Sequence, residues 1–119
     1  MTSEINKMKL SVVLCTYNNA DSLNLTLSQL GKQKYDFNQK VEIIIVDNNS
    51  TDCTNIVIDS HCKNNTHFRM LSESKQGLSY ARNAGIRQAS GEYILFTDDD
   101  AELSSNWINE YLTIINSCS

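Results

Sequence analysis

The sequence predicts an α/β protein of three layers (α/β/α) built on a mostly parallel β-sheet. Strand-like and helix-like segments alternate along the 119 residues, which is typical of parallel strands joined by right-handed crossover helices. The strand segments are short and almost continuous apolar runs, as expected for strands covered on both faces. A hydrophobic fraction of 40% and a charged fraction of 20% are ordinary for one globular domain of this length.

The first half of the chain contains two predicted strand–helix pairs. The strands are Lys9–Thr16 and Val41–Val46, whose centres are runs of Val, Ile and Leu. The helices begin at a capping residue, Asp21 or Ser22 in the first and Ser50 or Thr51 in the second, and run to about Gln33 and Lys63. Helical spacing predicts that these side chains face the sheet: Leu23, Leu27 and Leu30, then Cys53, Ile56, Val57 and Ser60.

The second half repeats the pattern. We predict a short strand at Phe68–Leu71, a helix at Leu78–Ala89, a strand at Glu92–Thr97 in the interior of the sheet, and a last helix capped by Ser104 or Ser105. Small residues let the third helix lie close to a neighbouring backbone, and apolar residues share one face of the last helix. The small residues are Ala81, Ala84, Gly85 and Ala89, and the apolar residues are Ile108, Tyr111, Leu112 and Ile115.

Charge and composition exclude several classes of protein. The net charge of −4 argues against a dedicated nucleic-acid-binding protein. No apolar stretch approaches the length that spans a membrane, and the polar start of the chain lacks the apolar core of a signal peptide. We therefore expect a cytoplasmic protein.

The four cysteines give no CxxC pair. Zinc ligands could be assembled from Cys53, His61, Cys62 and His67, but their spacing matches no standard zinc site. We interpret the cysteines as reduced thiols, as is usual in the cytosol, and Cys15 as a small buried hydrophobic residue.

Three of the predicted strands end in polar clusters, namely Thr16-Tyr17-Asn18, Asp47-Asn48-Asn49 and Asp98-Asp99-Asp100. In a parallel sheet these ends lie along one edge, which is where α/β proteins bind ligands. One such cluster is normal loop chemistry, whereas three that can converge suggest a ligand crevice.

The side chains of these clusters suggest what the crevice binds. Taken alone, Asp98-Asp99-Asp100 is most simply a solvated acidic turn, but a hard divalent ion shared with a phosphate would relieve the repulsion between the three acids. Tyr17 offers a flat face to a base, and Asp47 can accept hydrogen bonds from a ring N–H or a sugar hydroxyl. Arg82 and Lys75 can reach a phosphate.

Four segments together resemble the inverting family 2 glycosyltransferases of the GT-A fold (the nucleotide-diphospho-sugar transferase type). They are Ser11-Val12-Val13-Leu14-Cys15-Thr16-Tyr17-Asn18, then Ile44 to Asp52 (IIVDNNSTD), Gly77 to Ile86 (GLSYARNAGI), and Gly91 to Asp100 (GEYILFTDDD). They occur in the order and spacing of the family and cover roughly Lys9 to Trp107.

The resemblance implies roles for individual residues. Thr16, Tyr17, Asn18, Asp47, Asn49, Arg82, Asp98 and Asp99 would bind the nucleotide, with Asp47 on the base, usually uracil. The triplet matches the DxD motif of the family, so Asp100, with Asp98, would hold Mn²⁺ or Mg²⁺ on the diphosphate. Because all three residues are Asp, the register can also slip by one, which would make Asp99 the ligand.

The resemblance also implies a donor, an acceptor and a limit. The donor would be a nucleotide-diphospho-sugar, favoured as a UDP-sugar, and the acceptor would be a saccharide or a lipid-linked molecule. A longer protein that contains this chain could lie peripherally at the inner face of the membrane. Members of the family continue past the DxD motif into an acceptor-binding half with a general base. We therefore expect residues 1–119 to form a single truncated domain, the donor-binding half, which binds a donor without transferring sugar and can form a homodimer through exposed apolar surface.

Two other interpretations stay open at this point. A phosphotransfer module also places carboxylates at strand ends, but the first strand here ends in Thr16-Tyr17-Asn18 without the acidic residues that such modules need. A non-catalytic binding or interaction domain that keeps the fold without turnover is the second alternative.

Overall fold

A computed structural model describes residues 7–36 and 38–117 of the chain. It contains four strands and four helices in strict alternation: β1 (Leu10–Thr16), α1 (Ala20–Gly31), β2 (Val41–Asp47), α2 (Thr54–Asn64), β3 (Phe68–Ser72), α3 (Leu78–Gln88), β4 (Tyr93–Asp98) and α4 (Trp107–Ser117). The strands form one sheet in the order β3-β2-β1-β4, and every pair is parallel. The α/β class and the order of elements predicted from the sequence are confirmed.

The helices divide unequally between the two faces of the sheet. On one face, α1, α2 and α4 pack with Leu23, Ile58 and Ile108 in a continuous core against β1 and β2. On the other face, α3 packs through Ala81 and Ala84. The sheet therefore lies between two helical layers, as the three-layer prediction requires.

The helix α3 lies very close to the sheet, and Gly85 is the reason that it can. A Cβ atom at Gly85 would stand 2.4 Å from a methyl carbon of Val13 in β1, which is closer than packed carbon atoms approach. The small residues predicted to allow a close approach do so at Ala81, Ala84 and Gly85, all of which are buried.

The prediction that the strand before the Asp triplet lies in the interior of the sheet is wrong. Within the described residues β4 is an edge strand that pairs with β1 alone. Because α3 packs chiefly on β1 and β2, the side chains of Ile94 and Phe96 are 37% and 39% exposed. An apolar run shows that a strand can be covered but does not determine its place in the sheet.

The predicted start of the second helix is wrong, and of the four residues predicted to face the sheet only Val57 packs against the core. The helix α2 begins at Thr54, and the Asp52 carboxylate, which precedes it, accepts hydrogen bonds from the backbone N–H and the hydroxyl of Thr54. These bonds hold the pKa of Asp52 below its usual range. The side chain that enters the core is Ile58, whereas Ile56 is 67% exposed.

Two findings concern possible anchors and metals. Across residues 7–36 and 38–117, no helix has both the length and the apolar character that crossing a membrane requires. In the same part of the chain, no three His, Cys, Asp or Glu side chains gather into a metal-binding cluster. The thiols of Cys15, Cys53 and Cys62 are free, and Cys118 lies outside the described residues.

Candidate functional site

A cavity of about 380 Å³ opens at the edge of the sheet where the strands β1 and β4 end. It forms because the register pairs Cys15 with Asp98, so both strands finish at the same level. The residues around it are Cys15, Thr16, Tyr17, Asn19, Asn48, Leu78, Ala81, Asp98, Asp99 and Asp100. All three predicted polar clusters therefore contribute to one cavity, the second of them through Asn48 alone.

The three carboxylates of the triplet have different surroundings. Asp98 is the last residue of β4. The Asp99 carboxylate accepts a 2.8 Å hydrogen bond from the hydroxyl of Thr16, and its backbone carbonyl accepts one from Thr26. The side chains of Asp98 and Asp100 are exposed, and no described residue forms a hydrogen bond or ion pair with their carboxylates.

The donor atoms of the triplet fit a hard divalent cation. Asp98 and Asp100 offer carboxylate oxygens that no neighbouring side chain of the described residues neutralises. One or two carboxylates, completed by phosphate and water oxygens, are a usual ligand set for Mg²⁺.

Asp47 lies beside this cavity rather than in it. Its side chain is 8% exposed, and one carboxylate oxygen accepts a hydrogen bond from the backbone N–H of Ser50. It lines an adjoining hollow of about 350 Å³ together with Asn49, Ser50, Ser72, Glu73 and Ser74. The edge of the sheet therefore has two neighbouring compartments, one that contains the Asp triplet and a polar one that contains Asp47.

Asn18 joins the loop after β1 to the loop after β2. It adopts a left-handed backbone conformation (φ 45°). Its side-chain oxygen accepts hydrogen bonds from the backbone N–H groups of Thr51 and Asp52, and its amide donates to the hydroxyl of Thr51. The polar atoms of Asn18 are thus used within the protein, in a position that fixes the outline of the site.

Two cations lie on the flank of α3. The Arg82 guanidinium stands 5.6 Å from the centre of the Phe96 ring, and the Lys75 ammonium stands 5.6 Å from that of Tyr80. Neither side chain lines the main cavity. Both are exposed, which leaves them free to reorient toward an anion.

A thiol forms part of the floor of the cavity. Burial raises the pKa of Cys15 to about 11, the Arg82 charge lowers it in part, and the negative charge of Asp99 adds to the increase. The thiol is therefore protonated at neutral pH and presents a neutral surface to a ligand.

Sequence reasoning did not assign a role to five residues that line the cavity, namely Cys15, Asn19, Asn48, Leu78 and Ala81. Cys15 and Ala81 were interpreted as packing residues, and Asn48 as one member of a polar strand end. Their positions could have indicated the wall, because Cys15 is near the end of β1, Leu78 and Ala81 are in the first turn of α3, and Asn19 and Asn48 follow β1 and β2.

Comparison with known proteins identifies the family of the chain. The family model described as glycosyl transferase family 2 matches residues 11–117. A β-1,3-glucosyltransferase of Campylobacter jejuni, named for GalNAc(5)-diNAcBac-PP-undecaprenol, is 36% identical over 110 residues, which are 91% of this chain and 35% of that protein. The chain spans about a third of the length of the curated relatives that it matches.

Two solved structures are similar in fold. Staphylococcus aureus TarS 1-349 in complex with UDP-GlcNAc matches with a TM-score of 0.83 and 27% identity, over 92% of this chain and 32% of that one. The mannosyltransferase PcManGT of Pyrobaculum calidifontis, in complex with GDP-Man and Mn²⁺, matches with a TM-score of 0.76 and 27% identity, over 84% and 30%. The GT-A fold expected from the sequence is confirmed.

Proposed function

We propose, on the premise that this chain belongs to glycosyl transferase family 2, that it holds a nucleotide-diphospho-sugar, favoured as a UDP-sugar, for transfer to an acceptor. The single observation that carries the proposal is the cavity in which Thr16 and Tyr17 of one strand end meet Asp98–Asp100 of the next. The nucleotide-sugar complexes of TarS and PcManGT support it. The second strand end, with Asp47, lies in the adjoining hollow.

The two compartments fit the two ends of a nucleotide. We assign the base and ribose to the side of Tyr17, Asn49 and Asp47. One carboxylate oxygen of Asp47 accepts from the backbone N–H of Ser50, and the other oxygen can accept a hydrogen bond from a ring N–H of the base. We assign the diphosphate to the side of the triplet, with Arg82 turning from the Phe96 ring toward it. The Thr16 hydroxyl orients Asp99 between these two parts.

The Mn²⁺ or Mg²⁺ of the proposed site would be held by Asp100 and Asp98. Their carboxylates are exposed and have no partner among the described residues, whereas Asp99 is held by Thr16, which favours Asp100 over Asp99 as the main ligand. When bound, the ion would offset the negative charge of the leaving diphosphate. The chain's own residues position the donor and keep its diphosphate facing the triplet.

For the whole protein we propose sugar transfer to a saccharide or lipid-linked acceptor, with the protein in the cytoplasm or at the inner membrane face. The name of the Campylobacter relative, which includes a saccharide linked to undecaprenol, supports a lipid-linked class. For the 119 residues alone we propose donor binding without transfer, because the described residues offer no placed general base. Glu110 is exposed on a helix that packs through Ile108 and Leu112. Measurable sugar transfer by the purified chain would contradict this part of the proposal.

Thermal unfolding with and without nucleotide tests the proposed site. A ligand at a hundred times its dissociation constant stabilises the folded state by about 2.7 kcal/mol. We expect such stabilisation by UDP with Mn²⁺, and less by CDP or GDP. Asp100→Ala should remove the dependence on Mn²⁺, and Asp47→Ala should weaken the preference for UDP.

The matched control is Asp59→Ala, which removes an exposed carboxylate of α2 that is paired only with Lys63 on the same helix. We expect it to leave the stabilisation by UDP and Mn²⁺ unchanged. If UDP and Mn²⁺ stabilise Asp100→Ala, Asp47→Ala and Asp59→Ala to the same extent, the nucleotide does not bind at this edge of the sheet.

A further inference from the structure

The side chain of Asn48 makes three hydrogen bonds at the edge of the sheet. Asn48 follows β2 directly, is only 5% exposed, and lies between the main cavity and the loop that leads to α3. Its backbone N–H donates to the carbonyl of Thr16 at 2.9 Å, which ties it to the end of β1. The backbone of Asn48 is therefore held by the sheet, independently of the contacts of its side chain.

The side chain of Asn48 holds a loop of residues 73–77 through three hydrogen bonds. The amide nitrogen donates to the backbone carbonyls of Glu73 and Lys75, at 3.1 and 2.7 Å. The amide oxygen accepts from the backbone N–H of Gly77 at 2.8 Å. One side-chain amide thus satisfies three main-chain groups of a loop that has no sheet partner after Glu73.

The held loop ends where the wall of the cavity begins. Gly77 has φ +141°, a conformation that L-residues rarely adopt, and its carbonyl accepts the first hydrogen bond of α3, from Ala81. Leu78 and Ala81 then line the cavity, and Arg82 follows on the same helix. A change in the position of Gly77 would therefore move the wall and the cation together.

We infer that Asn48 is a positioning residue for donor binding, which presets the 73–77 loop and the start of α3 around the nucleotide. The inference rests on the proposed function of the cavity. Because the loop is held before the ligand arrives, binding does not have to order it, and affinity increases accordingly. Asn48 acts through the loop and the helix rather than through a contact with the reacting atoms.

The chemistry of the three bonds specifies an amide. A carboxylate of the same shape would present oxygen instead of N–H to the carbonyls of Glu73 and Lys75, and buried oxygens at such distances repel one another. A protonated carboxyl group could again donate one hydrogen bond. Because burial beside carbonyl oxygens raises the pKa of a carboxyl group at this position, replacement by Asp should disrupt the loop at pH 8 and restore part of it at pH 5.5.

The first experiment measures the dissociation constant of UDP with Mn²⁺ at pH 8 and pH 5.5 for wild type, Asn48→Asp and Asn19→Asp. Asn19 also lines the cavity, and its side chain makes no helix-capping bond, so Asn19→Asp adds a similar charge without removing the loop contacts. At pH 8 we expect Asn48→Asp to bind at least about tenfold more weakly than Asn19→Asp. The difference should shrink at pH 5.5, because protonation restores a donor.

A ratio of Asn48→Asp to Asn19→Asp that stays near one at both pH values would overturn the inference. A ratio that is large but independent of pH would also count against it, since a general loss of folding would not respond to protonation of one side chain. Binding is compared only among variants whose thermal unfolding shows them folded at the temperature used. Asn48→Ala, which removes the bonds without adding charge, replaces Asn48→Asp if the latter does not fold.

The second experiment needs no ligand and separates this inference from the proposed function. Hydrogen exchange of the Gly77 amide is measured in wild type and Asn48→Ala, with amides of β2 as the internal reference. We expect exchange at Gly77 to accelerate at least about tenfold more than in β2. If wild type binds no nucleotide, the proposed function fails. Unchanged exchange at Gly77 would overturn the role of Asn48 whatever the binding result.

Discussion

The two ends of the sheet bear carboxylates in opposite situations. At the amino end, Glu42 is 7% exposed and accepts hydrogen bonds from the hydroxyl of Ser11, the backbone N–H of Ser90 and the guanidinium of Arg69. Arg69 also donates to the carbonyl of Gln88. Both carboxylate oxygens of Glu42 therefore accept hydrogen bonds, and the cluster joins β1, β2, β3 and the connection from α3 to β4.

At the carboxyl end, Asp98 and Asp100 are exposed and have no partner among the described residues. Only Asp99 is held, by Thr16. Glu42 has the surroundings of a structural carboxylate, because its removal would leave buried donors unpaired. Asp98 and Asp100 have the surroundings of a binding site, since their charges remain available to a ligand. The presence or absence of hydrogen-bonding partners therefore distinguishes a carboxylate that stabilises the fold from carboxylates that are available to bind a ligand.

The largest effect is expected at the amino end. Glu42→Ala leaves Arg69 and two further donors without their acceptor, and because water can solvate the Arg69 side chain, which is 39% exposed, we expect a loss of about 2–3 kcal/mol. Urea unfolding should show this decrease in the free energy of unfolding. In contrast, Asp59→Ala breaks an exposed pair of α2 and should cost less than about 1 kcal/mol. Similar losses in the two variants would refute the structural role of Glu42.

The converse experiment acts at the carboxyl end. Asp98→Asn combined with Asp100→Asn removes two charges that no described residue neutralises, so the free energy of unfolding should change by no more than about 0.5 kcal/mol. The same variant should lose at least about tenfold in Mn²⁺-dependent affinity for UDP, equivalent to about 1.4 kcal/mol. A large loss of stability in the absence of ligand would show that these two carboxylates are structural after all.

A smaller effect is expected from the one triplet residue that has a partner. Thr16→Val keeps the shape of a side chain that is 3% exposed and removes its 2.8 Å hydrogen bond to Asp99. The free energy of unfolding should fall by about 1 kcal/mol, and the affinity for UDP should fall with it. Val13→Thr places a hydroxyl in the core on the same strand. It measures how much the free energy of unfolding falls when a buried hydroxyl has no hydrogen-bonding partner.

The smallest effect is expected from the thiol in the floor of the cavity. Because burial raises the pKa of Cys15 from 9.0 to about 11, its contribution to stability is complete below pH 9 and is lost as the pH rises toward 11. The free energy of unfolding of wild type should therefore decrease more between pH 8.5 and 10.5 than that of Cys15→Ala. Parallel pH curves for the two proteins would show that the thiol is not effectively buried.

The sequence predicted the fold better than it predicted the site. The alternation of apolar runs and helical spacings gave the eight elements in order, and the small residues of α3 identified its packing face. The start of α2 was mispredicted because several residues before Thr54 can cap a helix, whereas the backbone N–H groups of Thr51 and Asp52 donate instead to Asn18 of another loop. Local signals compete there, and tertiary contacts decide between them.

Within the site, the sequence identified types of residue rather than their partners. It predicted that Thr16, Tyr17 and the Asp triplet share one edge of the sheet, and they line one cavity. It did not predict that Asp47 lies in an adjoining hollow. It also gave no sign that the Asn48 side chain forms hydrogen bonds with the 73–77 loop. The three groups that Asn48 contacts are main-chain groups, which are the same in nearly every residue type.

The sequence by itself determined the parallel α/β class, the order of the elements and the edge at which the polar strand ends gather, because these follow from local periodicity and from the direction of parallel strands. Only the tertiary structure decided which strand lies at the edge of the sheet, which carboxylates are satisfied and which are left for a ligand. These properties depend on contacts between residues far apart in the chain, such as Thr16 with Asp99 and Asn48 with Gly77.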